Sequence, residues 1–126
     1  MPQILIVEDD AEVCEVLSIF VSDVPEAHVT TLPDALDAWL AVQKQKFDLI
    51  ITDHRMPYLN GHSFCQALRK KKNPNQNTPI ILLSGFLGEV ERIISPDDRI
   101  YFLEKPPKLE SFEELLVKLV TKPEAG

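Results

Sequence analysis

Short runs of apolar, mostly β-branched residues alternate with segments of helical periodicity from one end of the chain to the other. Most of these runs are continuous in apolar residues, which is typical of a strand that is covered on both faces. The five runs are residues 3–7, 27–32, 48–52, 79–84 and 99–103. Because buried parallel strands need a crossover segment between them, this alternation restricts the fold more than any other feature of the sequence.

The segments that follow the runs predict five helices. Asp10 precedes the first helix and Asn60 the third, and both residue types commonly cap a helix N-terminus. The predicted helices cover residues 10–24, a segment opened by Pro33 and Asp34, and residues 61–72, 88–95 and 110–121. The pattern predicts an α/β fold in which a parallel sheet lies between two layers of helices. Five units favour an open, doubly wound sheet over a closed eight-stranded barrel.

The length of 126 residues is close to the commonest size of one domain. We therefore expect one domain over residues 1–126, with its core at about 3–120 and a short tail at 121–126. Residues 70–77 are rich in lysine and asparagine and predict a linker-like piece. The net charge of −7 disfavours nucleic acid and anionic membranes as direct partners.

The two cysteines and the chain start indicate a compartment. Cys14 and Cys65 lie far apart in apolar stretches, which predicts reduced thiols rather than a disulfide. The first ten residues lack the basic region and the long apolar run of a signal peptide. No stretch approaches the roughly 18 apolar residues of a membrane span. We expect a cytoplasmic protein.

Polar side chains follow four of the five predicted strands at their carboxyl ends. In an open parallel sheet these ends meet at one edge, which is where such folds bind ligands. The residues are Glu8, Asp9 and Asp10 after the first strand, Asp53 after the third, Ser84 and Gly85 at the end of the fourth, and Glu104, Lys105 and Pro106 after the fifth. Each alone is explained as a helix cap, a turn former or a loop residue, but their joint placement predicts a site.

The residue types at this edge indicate a chemistry. Carboxylates of Glu8, Asp9 and Asp53 brought together repel one another at neutral pH, and they need a cation. Oxygen ligands favour a hard ion, and an open site that keeps waters suits Mg²⁺, with Mn²⁺ as the alternative. Lys105 adds a positive charge and Ser84 adds a hydroxyl. This set predicts that Asp53, which we expect to be exposed, accepts a phosphoryl group.

The motifs around these residues resemble those of the receiver domain of two-component response regulators, over about residues 3–120. "ILIVEDD" resembles the first-strand motif with its acidic pair, and "DHRMPYLNG" resembles the pattern Asp-x-x-Met-Pro-x-x-x-Gly. "LLSG" resembles the fourth-strand hydroxyl followed by a small residue, and "LEKP" resembles the Lys-Pro pair of the fifth strand. The resemblance implies a flavodoxin-like, three-layer α/β/α fold with strand order 2-1-3-4-5.

The resemblance also implies roles for the acidic residues. Asp53 would be the phosphoacceptor, with phosphate delivered by a histidine kinase or a phosphotransfer protein. Mg²⁺ would be bound by Asp9 directly, by Glu8 largely through water, and by Asp53 and the backbone carbonyl of Arg55. The chain is then a phosphoacceptor signalling domain rather than an enzyme, with slow self-catalysed phosphorylation from small phosphodonors and slow autodephosphorylation.

A switch is implied by the same resemblance. Phosphorylation would give Ser84 and Lys105 a new charged partner, and an aromatic ring on the fifth strand would then turn inward. Phe102 holds that position, and Tyr101 precedes it on the opposite face of the strand. The face of the fourth and fifth predicted helices and the fifth strand would bind an unidentified downstream protein or a second copy. The peptide bond before Pro106 is typically cis in the family.

Two positions next to the predicted site depart from common family residues. Arg55 and Phe86 lie two residues beyond Asp53 and Ser84, and in the family these positions flank the path of the attacking water. We interpret Phe86 as a shield and Arg55 as a pairing partner of the phosphoryl group. Together they predict slow loss of the phosphoryl group.

Other functions fit the sequence less well. A flavin site needs a phosphate-binding loop after the first strand, where "EDDAEV" repels phosphate. A phosphatase with an aspartate nucleophile usually has a second Asp at the position of Arg55. A transcription factor needs a DNA-binding domain, and Met1 and the short tail favour a stand-alone regulator. The alternative left open is a pseudo-receiver or scaffold that acts by protein contacts without phosphorylation.

Overall fold

The strands of the computed structural model form a five-stranded parallel sheet in the order β2-β1-β3-β4-β5. The structure describes residues 2–55, 60–85, 99–105 and 107–120. The strands are β1 (Gln3–Val7), β2 (His28–Leu32), β3 (Leu49–Asp53), β4 (Ile80–Ser84) and β5 (Ile100–Glu104). The predicted fold class and strand order are confirmed.

Strand pairing and burial distinguish the central strands of the sheet from its edge strands. Leu5 of β1 pairs with Ile50 of β3, and Ile50 pairs with Ile80 of β4. Every residue of β3 and β4 is buried, whereas the edge strands β2 and β5 are largely half-buried. Continuous apolar runs therefore mark the central strands, because helices cover them on both faces.

Four helices lie within the described residues: α1 (Ala11–Val21), α2 (Ala35–Lys44), α3 (Gly61–Lys70) and the C-terminal helix (Leu109–Leu119). Asp10 and Asn60 cap α1 and α3 as predicted, because their side-chain oxygens accept hydrogen bonds from backbone amides of the first turn. Asp34 caps α2 in the same way. The helix predicted at 88–95 lies outside the described residues, as does the tail at 121–126.

Two hydrophobic clusters lie on the two faces of the sheet. One packs α2 and α3 against the sheet around Phe47 and Phe64, and the other packs α1 and the C-terminal helix around Leu17 and Phe112. Successive residues of one strand enter different clusters, since side chains alternate between the faces. These clusters form the predicted three-layer arrangement.

Element ends differ from the sequence prediction by a few residues. The third strand extends to Asp53 and the fifth to Glu104, one residue further than predicted in each case. The first helix ends at Val21 rather than at residue 24, and a turn with Glu26 at φ 60° leads into β2. Asp53 and Glu104 are therefore paired within the sheet, and the sheet itself positions their side chains.

The prediction of a linker-like piece at residues 70–77 is wrong. Asn75 is fully buried, and its amide nitrogen donates to the carbonyl oxygens of Val42 at 2.8 Å and Gln45 at 2.7 Å. Its amide oxygen accepts a hydrogen bond of 2.7 Å from the backbone N–H of Phe47. The Arg69 guanidinium donates to the carbonyl oxygen of Thr78 at 2.6 Å. This segment joins α2, α3 and the start of β3.

Both cysteines are free thiols, as predicted. Cys65 is buried in the cluster beside α3, and burial raises the pKa of its thiol to about 12. Cys14 is half-buried rather than in the core. None of the helices in the described part of the chain has the length and apolar character needed to cross a bilayer.

Candidate functional site

The carboxyl ends of β1, β3, β4 and β5 bring the predicted site residues to one edge of the sheet. Glu8 follows β1 directly, and Asp53 is the last residue of the neighbouring strand β3. Ser84 ends β4, and its carbonyl oxygen accepts a 2.9 Å hydrogen bond from the backbone N–H of Lys105. Residues from four strands therefore meet at this edge because the strands are parallel and in register.

Lys105 lies between the two buried carboxylates. Its ammonium nitrogen is 2.8 Å from Asp53 Oδ2 and 3.1 Å from Glu8 Oε1. Asp9 is exposed beside them, and one carboxylate oxygen each from Glu8, Asp9 and Asp53 lie within 4.8 Å of one another. The ammonium of Lys105, which follows β5, is thus shared by Glu8 after β1 and Asp53 at the end of β3.

The prediction that Asp53 is exposed is wrong, because only 4% of the residue is accessible to solvent. The Lys105 ammonium covers Oδ2, and the backbone N–H of Arg55 donates to Oδ1 over a longer distance of 3.4 Å. The carboxylate is fixed in orientation by these groups. An incoming ligand must move the Lys105 side chain or approach past it.

The pKa of Glu8 is raised from 4.5 to about 7, and burial is the largest cause. The negative charge of Asp53 contributes to this rise, while a hydrogen bond from the backbone N–H of Asp10 and the nearby Lys105 ammonium oppose it. Burial also opposes the charged form of Lys105, but its contacts with Asp53 and Glu8 outweigh this, so the pKa of Lys105 is raised. The site therefore holds Lys105 as an ammonium and Glu8 close to its titration point at neutral pH.

The acidic residues fit a hard cation. Glu8 Oε1 is fully buried, and among the described residues it has the Lys105 ion pair but no hydrogen-bond donor. A buried carboxylate oxygen with no further hydrogen-bond donor can serve as a ligand atom for a cation. Glu8, Asp9 and Asp53 offer oxygen atoms close enough to bind one ion together.

Gly61 supports the end of β3, a contact that sequence reasoning missed. Its N–H donates to the carbonyl oxygen of His54 at 2.7 Å. A Cβ atom at Gly61 would lie 2.5 Å from the carbonyl oxygen of Asp53 and 2.7 Å from Leu82 Cδ1. The chain can therefore have only glycine here, since α3 starts directly against the strand end. The Gly that closes "DHRMPYLNG" was the available signal.

The aromatic residues of β5 face opposite sides of the sheet, as expected. Phe102 packs against the cluster of α2 and α3, and Tyr101 packs against the cluster of α1 and the C-terminal helix. The Lys118 ammonium lies 5.2 Å from the centre of the Tyr101 ring. Arg55 is exposed beside Asp53, whereas Phe86 and Pro106 lie outside the described residues.

Residues 4–117 match the family model described as the response regulator receiver domain. Among curated proteins, the chain is 33% identical over 114 residues to a probable transcriptional regulator, ycf27, of Pyropia yezoensis, covering 86% of this chain and 44% of that protein. It is 28% identical over 126 residues to response regulator Rre1 of Synechocystis, covering 98% and 53%. The chain spans about half the length of these relatives.

Solved structures are similar over nearly the whole chain. The chemotaxis response regulator CheY4 of Vibrio cholerae has a TM-score of 0.80 and 26% identity, covering 95% of this chain and 99% of that one. The receiver domain of sensor histidine kinase PA1611 from Pseudomonas aeruginosa, with a magnesium ion coordinated in its active site cleft, has a TM-score of 0.79 and 25% identity, covering 96% and 98%. Both share the architecture seen here.

Proposed function

This chain belongs to the response regulator receiver domain family of two-component signalling, and from that premise we propose that Asp53 accepts a phosphoryl group in a magnesium-dependent reaction. The fold is that of a signalling domain rather than of a classical enzyme. The observation that carries the proposal is the 2.8 Å contact between Asp53 and the Lys105 ammonium, next to the oxygen atoms of Glu8 and Asp9.

Glu8, Asp9, Asp53 and the backbone carbonyl of Arg55 would hold the ion. Support comes from the spacing of the three carboxylates and from the buried Glu8 oxygen, which has only the Lys105 ion pair within the described part of the chain. The magnesium ion in the cleft of the similar PA1611 receiver domain supports the same identity. A bound ion would neutralise negative charge on the oxygens of the transferred phosphoryl group.

The chain's own groups carry out the remaining steps. An Asp53 oxygen attacks the phosphorus of a phosphohistidine or a small phosphodonor, an O–P bond forms, and the bond from phosphorus to the donor breaks. The Lys105 ammonium moves from Asp53 Oδ2 to a phosphoryl oxygen, and the Ser84 hydroxyl donates to another. Hydrolysis of the acyl phosphate by water returns the Asp53 carboxylate and inorganic phosphate.

The switch would pass through β4 and β5. Contacts of Ser84 and Lys105 with the phosphoryl group draw the two strand ends together, and the half-buried Phe102 ring repacks inward. The face formed by β5 and the C-terminal helix then binds a downstream protein or a second phosphorylated copy; the helix predicted at 88–95, which was expected on this face, lies outside the described residues. The phosphodonor is a histidine kinase or a phosphotransfer protein.

The domain limits and the compartment belong to the same proposal. We propose that residues 1–126 form one receiver domain, and the family match over residues 4–117 supports this. Phosphoryl transfer from a histidine kinase places the domain in the cytoplasm. That compartment keeps Cys14 and Cys65 as the free thiols that the structure contains.

Arg55 and Phe86 set the lifetime of the phosphoryl group in this proposal. The exposed Arg55 guanidinium is close enough along the chain to pair with a phosphoryl group on Asp53, and Phe86 would exclude water. The variant with Arg55→Asn and Phe86→Glu together should lose phosphate faster than the unaltered chain in a time course. Equal decay rates in the two proteins would show that Arg55 and Phe86 do not set the lifetime of the phosphoryl group.

Beryllofluoride binding tests whether Asp53 is the acceptor. Amide NMR spectra should shift for residues of β4 and β5 when beryllofluoride and Mg²⁺ are added together. The Asp53→Asn variant should show no shift. If beryllofluoride and Mg²⁺ shift the spectrum of neither protein, a pseudo-receiver that acts without phosphorylation is favoured.

A further inference from the structure

The charges of the chain are unevenly distributed. Residues 38–78 contain seven Lys and Arg residues but two acidic ones, Asp48 and Asp53, in a chain whose net charge is −7. The remaining segments carry eighteen acidic and six basic residues. This asymmetry is present in the sequence, and the function proposed for Asp53 makes no use of it.

The fold brings the lysines of this segment together at the ends of α2 and α3. Asn75, which follows α3, donates to the carbonyl oxygens of Val42 and Gln45 at the end of α2. The Lys71 ammonium lies 5.8 Å from the centre of the Trp39 ring of α2. Two helix ends that are far apart in sequence thus form one exposed surface. Its five exposed lysines are Lys44, Lys46, Lys70, Lys71 and Lys72.

Helix dipoles explain part of this arrangement. Lys44 and Lys70 lie in the last turns of α2 and α3, where a positive charge is stabilising. Lys46 and Lys72 lie beyond the helix ends, where this effect is weaker. Within the described segments no ion pair joins any of the five lysines to a carboxylate. The five lysines therefore outnumber the two exposed acids nearby in sequence, Asp37 and Asp48, and the surface keeps an excess of positive charge.

An apolar strip adjoins the lysines on α2. Leu36 and Leu40 are 53% and 59% exposed, and residues four apart share one face of a helix. The net charge of −7 disfavours nucleic acid as the partner of this surface. We call Leu36, Leu40 and the five lysines the α2–α3 surface. Its chemistry suits an acidic helix that carries apolar residues.

The C-terminal helix of the same chain has that chemistry. Its exposed residues include Leu109 and Val117, which are 46% and 58% accessible. Glu110, Glu113 and Glu114 are exposed on the same helix. We call these five residues the acidic helix surface. Its combination of apolar and acidic side chains complements the α2–α3 surface.

We propose that the α2–α3 surface of one copy binds the acidic helix surface of a second copy. The two surfaces differ, so the contact is head-to-tail and can continue from copy to copy. It goes beyond the proposed phosphoryl function and does not depend on it. It also differs from a symmetric dimer through the face of β5, because α2 and α3 take part. Salt screens the attraction between the surfaces.

Sedimentation equilibrium tests the contact. At about 25 mM salt and protein concentrations up to about 0.5 mM, the average mass should rise above the 14.3 kDa of one chain, and it should return to that mass at about 500 mM salt. The Asp53→Asn variant should associate like the unaltered chain. A mass of 14.3 kDa under all these conditions would overturn the proposal.

Two variants block one surface each. The first carries Leu40→Gln, Lys46→Gln and Lys72→Gln, and the second carries Glu113→Gln, Glu114→Gln and Val117→Gln. Each alone should associate at least fivefold more weakly than the unaltered chain. An equimolar mixture retains one intact surface of each kind, so it should form a dimer and nothing larger.

A matched control removes similar groups from α1. Glu12→Gln, Glu15→Gln and Ile19→Gln alter two acids and one exposed apolar residue outside both surfaces. This control should associate like the unaltered chain, and circular dichroism should confirm that every variant is folded. If the two surface variants associate as strongly as the control, or their mixture stays monomeric, the head-to-tail contact is wrong.

Discussion

Two buried carboxylates at the edge of the sheet share a single cation, the Lys105 ammonium. Lys105 contacts Asp53 at 2.8 Å and Glu8 at 3.1 Å, and both carboxylates are nearly inaccessible to solvent. One ammonium cannot fully neutralise two carboxylates. The pKa of Glu8 is therefore raised, mainly because this residue is buried. A divalent ion or a proton relieves the same excess charge, so the two compete for Glu8.

Glu8 predicts a pH dependence of stability. Its pKa is about 7 in the folded chain against 4.5 for an ordinary Glu, so the folded chain binds this proton more tightly than the unfolded chain. The free energy of unfolding without metal should therefore fall as the pH rises from about 4.5 to about 7. Urea denaturation across this range measures it. Glu8→Gln should flatten the dependence, and an unchanged slope would show that another group causes it.

Asp9 predicts a metal-dependent stabilisation. Because an ion that binds the folded chain alone stabilises it by mass action, about 10 mM Mg²⁺ should raise the melting temperature by a few degrees. Asp9→Asn should remove most of this shift, since it deletes one of the three clustered carboxylates. Asp10→Asn is the matched control, because Asp10 is an adjacent exposed acid outside the cluster and Asn also caps helices. Equal shifts in the two variants would contradict the metal site.

At the scale of the elements, the start of α3 holds the end of β3 in place. Gly61→Ala would bring a methyl group within 2.9 Å of the Cα atom of His54 and closer still to the carbonyl of Asp53. Backbone atoms cannot give way cheaply, so we expect a loss of about 2 kcal/mol in the free energy of unfolding, measured with urea.

Gly85→Ala is the matched control for Gly61→Ala. Among the described residues, a Cβ atom at Gly85 meets nothing within 4 Å, so this variant should keep the stability of the unaltered chain. If Gly61→Ala also unfolds at the same urea concentration as the unaltered chain, the close contact between the start of α3 and the end of β3 does not require glycine.

The segment after α3 makes a second element-scale prediction. Asn75→Ala removes the side-chain partner of the Phe47 amide and of the carbonyl oxygens of Val42 and Gln45, and the Phe47 and Val42 groups that lose it are buried. The cost should be about 3 kcal/mol in the free energy of unfolding, because buried polar groups are expensive to leave unpaired. Thermal or urea unfolding measures it. Asn77→Ala, at an exposed position two residues away, should cost little, and similar losses in both would contradict the role of Asn75.

The sequence predicted the elements better than the contacts between them. β1 was predicted with its observed ends, because four consecutive apolar residues after Gln3 are followed at once by acids. The role of Asn75 could not be predicted, because its partners lie about thirty residues earlier in the chain and its neighbours have the composition of a loop. The burial of Asp53 was missed for a similar reason, since it depends on Lys105, which is 52 residues away.

At the scale of the whole molecule, two regions of opposite character lie at opposite edges of the sheet. The acidic site lies at the carboxyl ends of the strands, where the four predicted strand ends did converge. The lysines lie at the ends of α2 and α3, which run antiparallel to the strands and so end near the strand starts. Composition alone gave a net charge of −7 and concealed this separation.

The central claim is that Asp53 carries a phosphoryl group, and intact-mass spectrometry with peptide mapping tests it most directly. With acetyl phosphate and Mg²⁺, the folded chain should gain the mass of one phosphoryl group, located on the peptide that contains Asp53. The gain should be absent from Asp53→Asn and from a sample treated with a chelator. A folded, magnesium-loaded chain that gains no mass, or gains it equally in Asp53→Asn, would contradict the account.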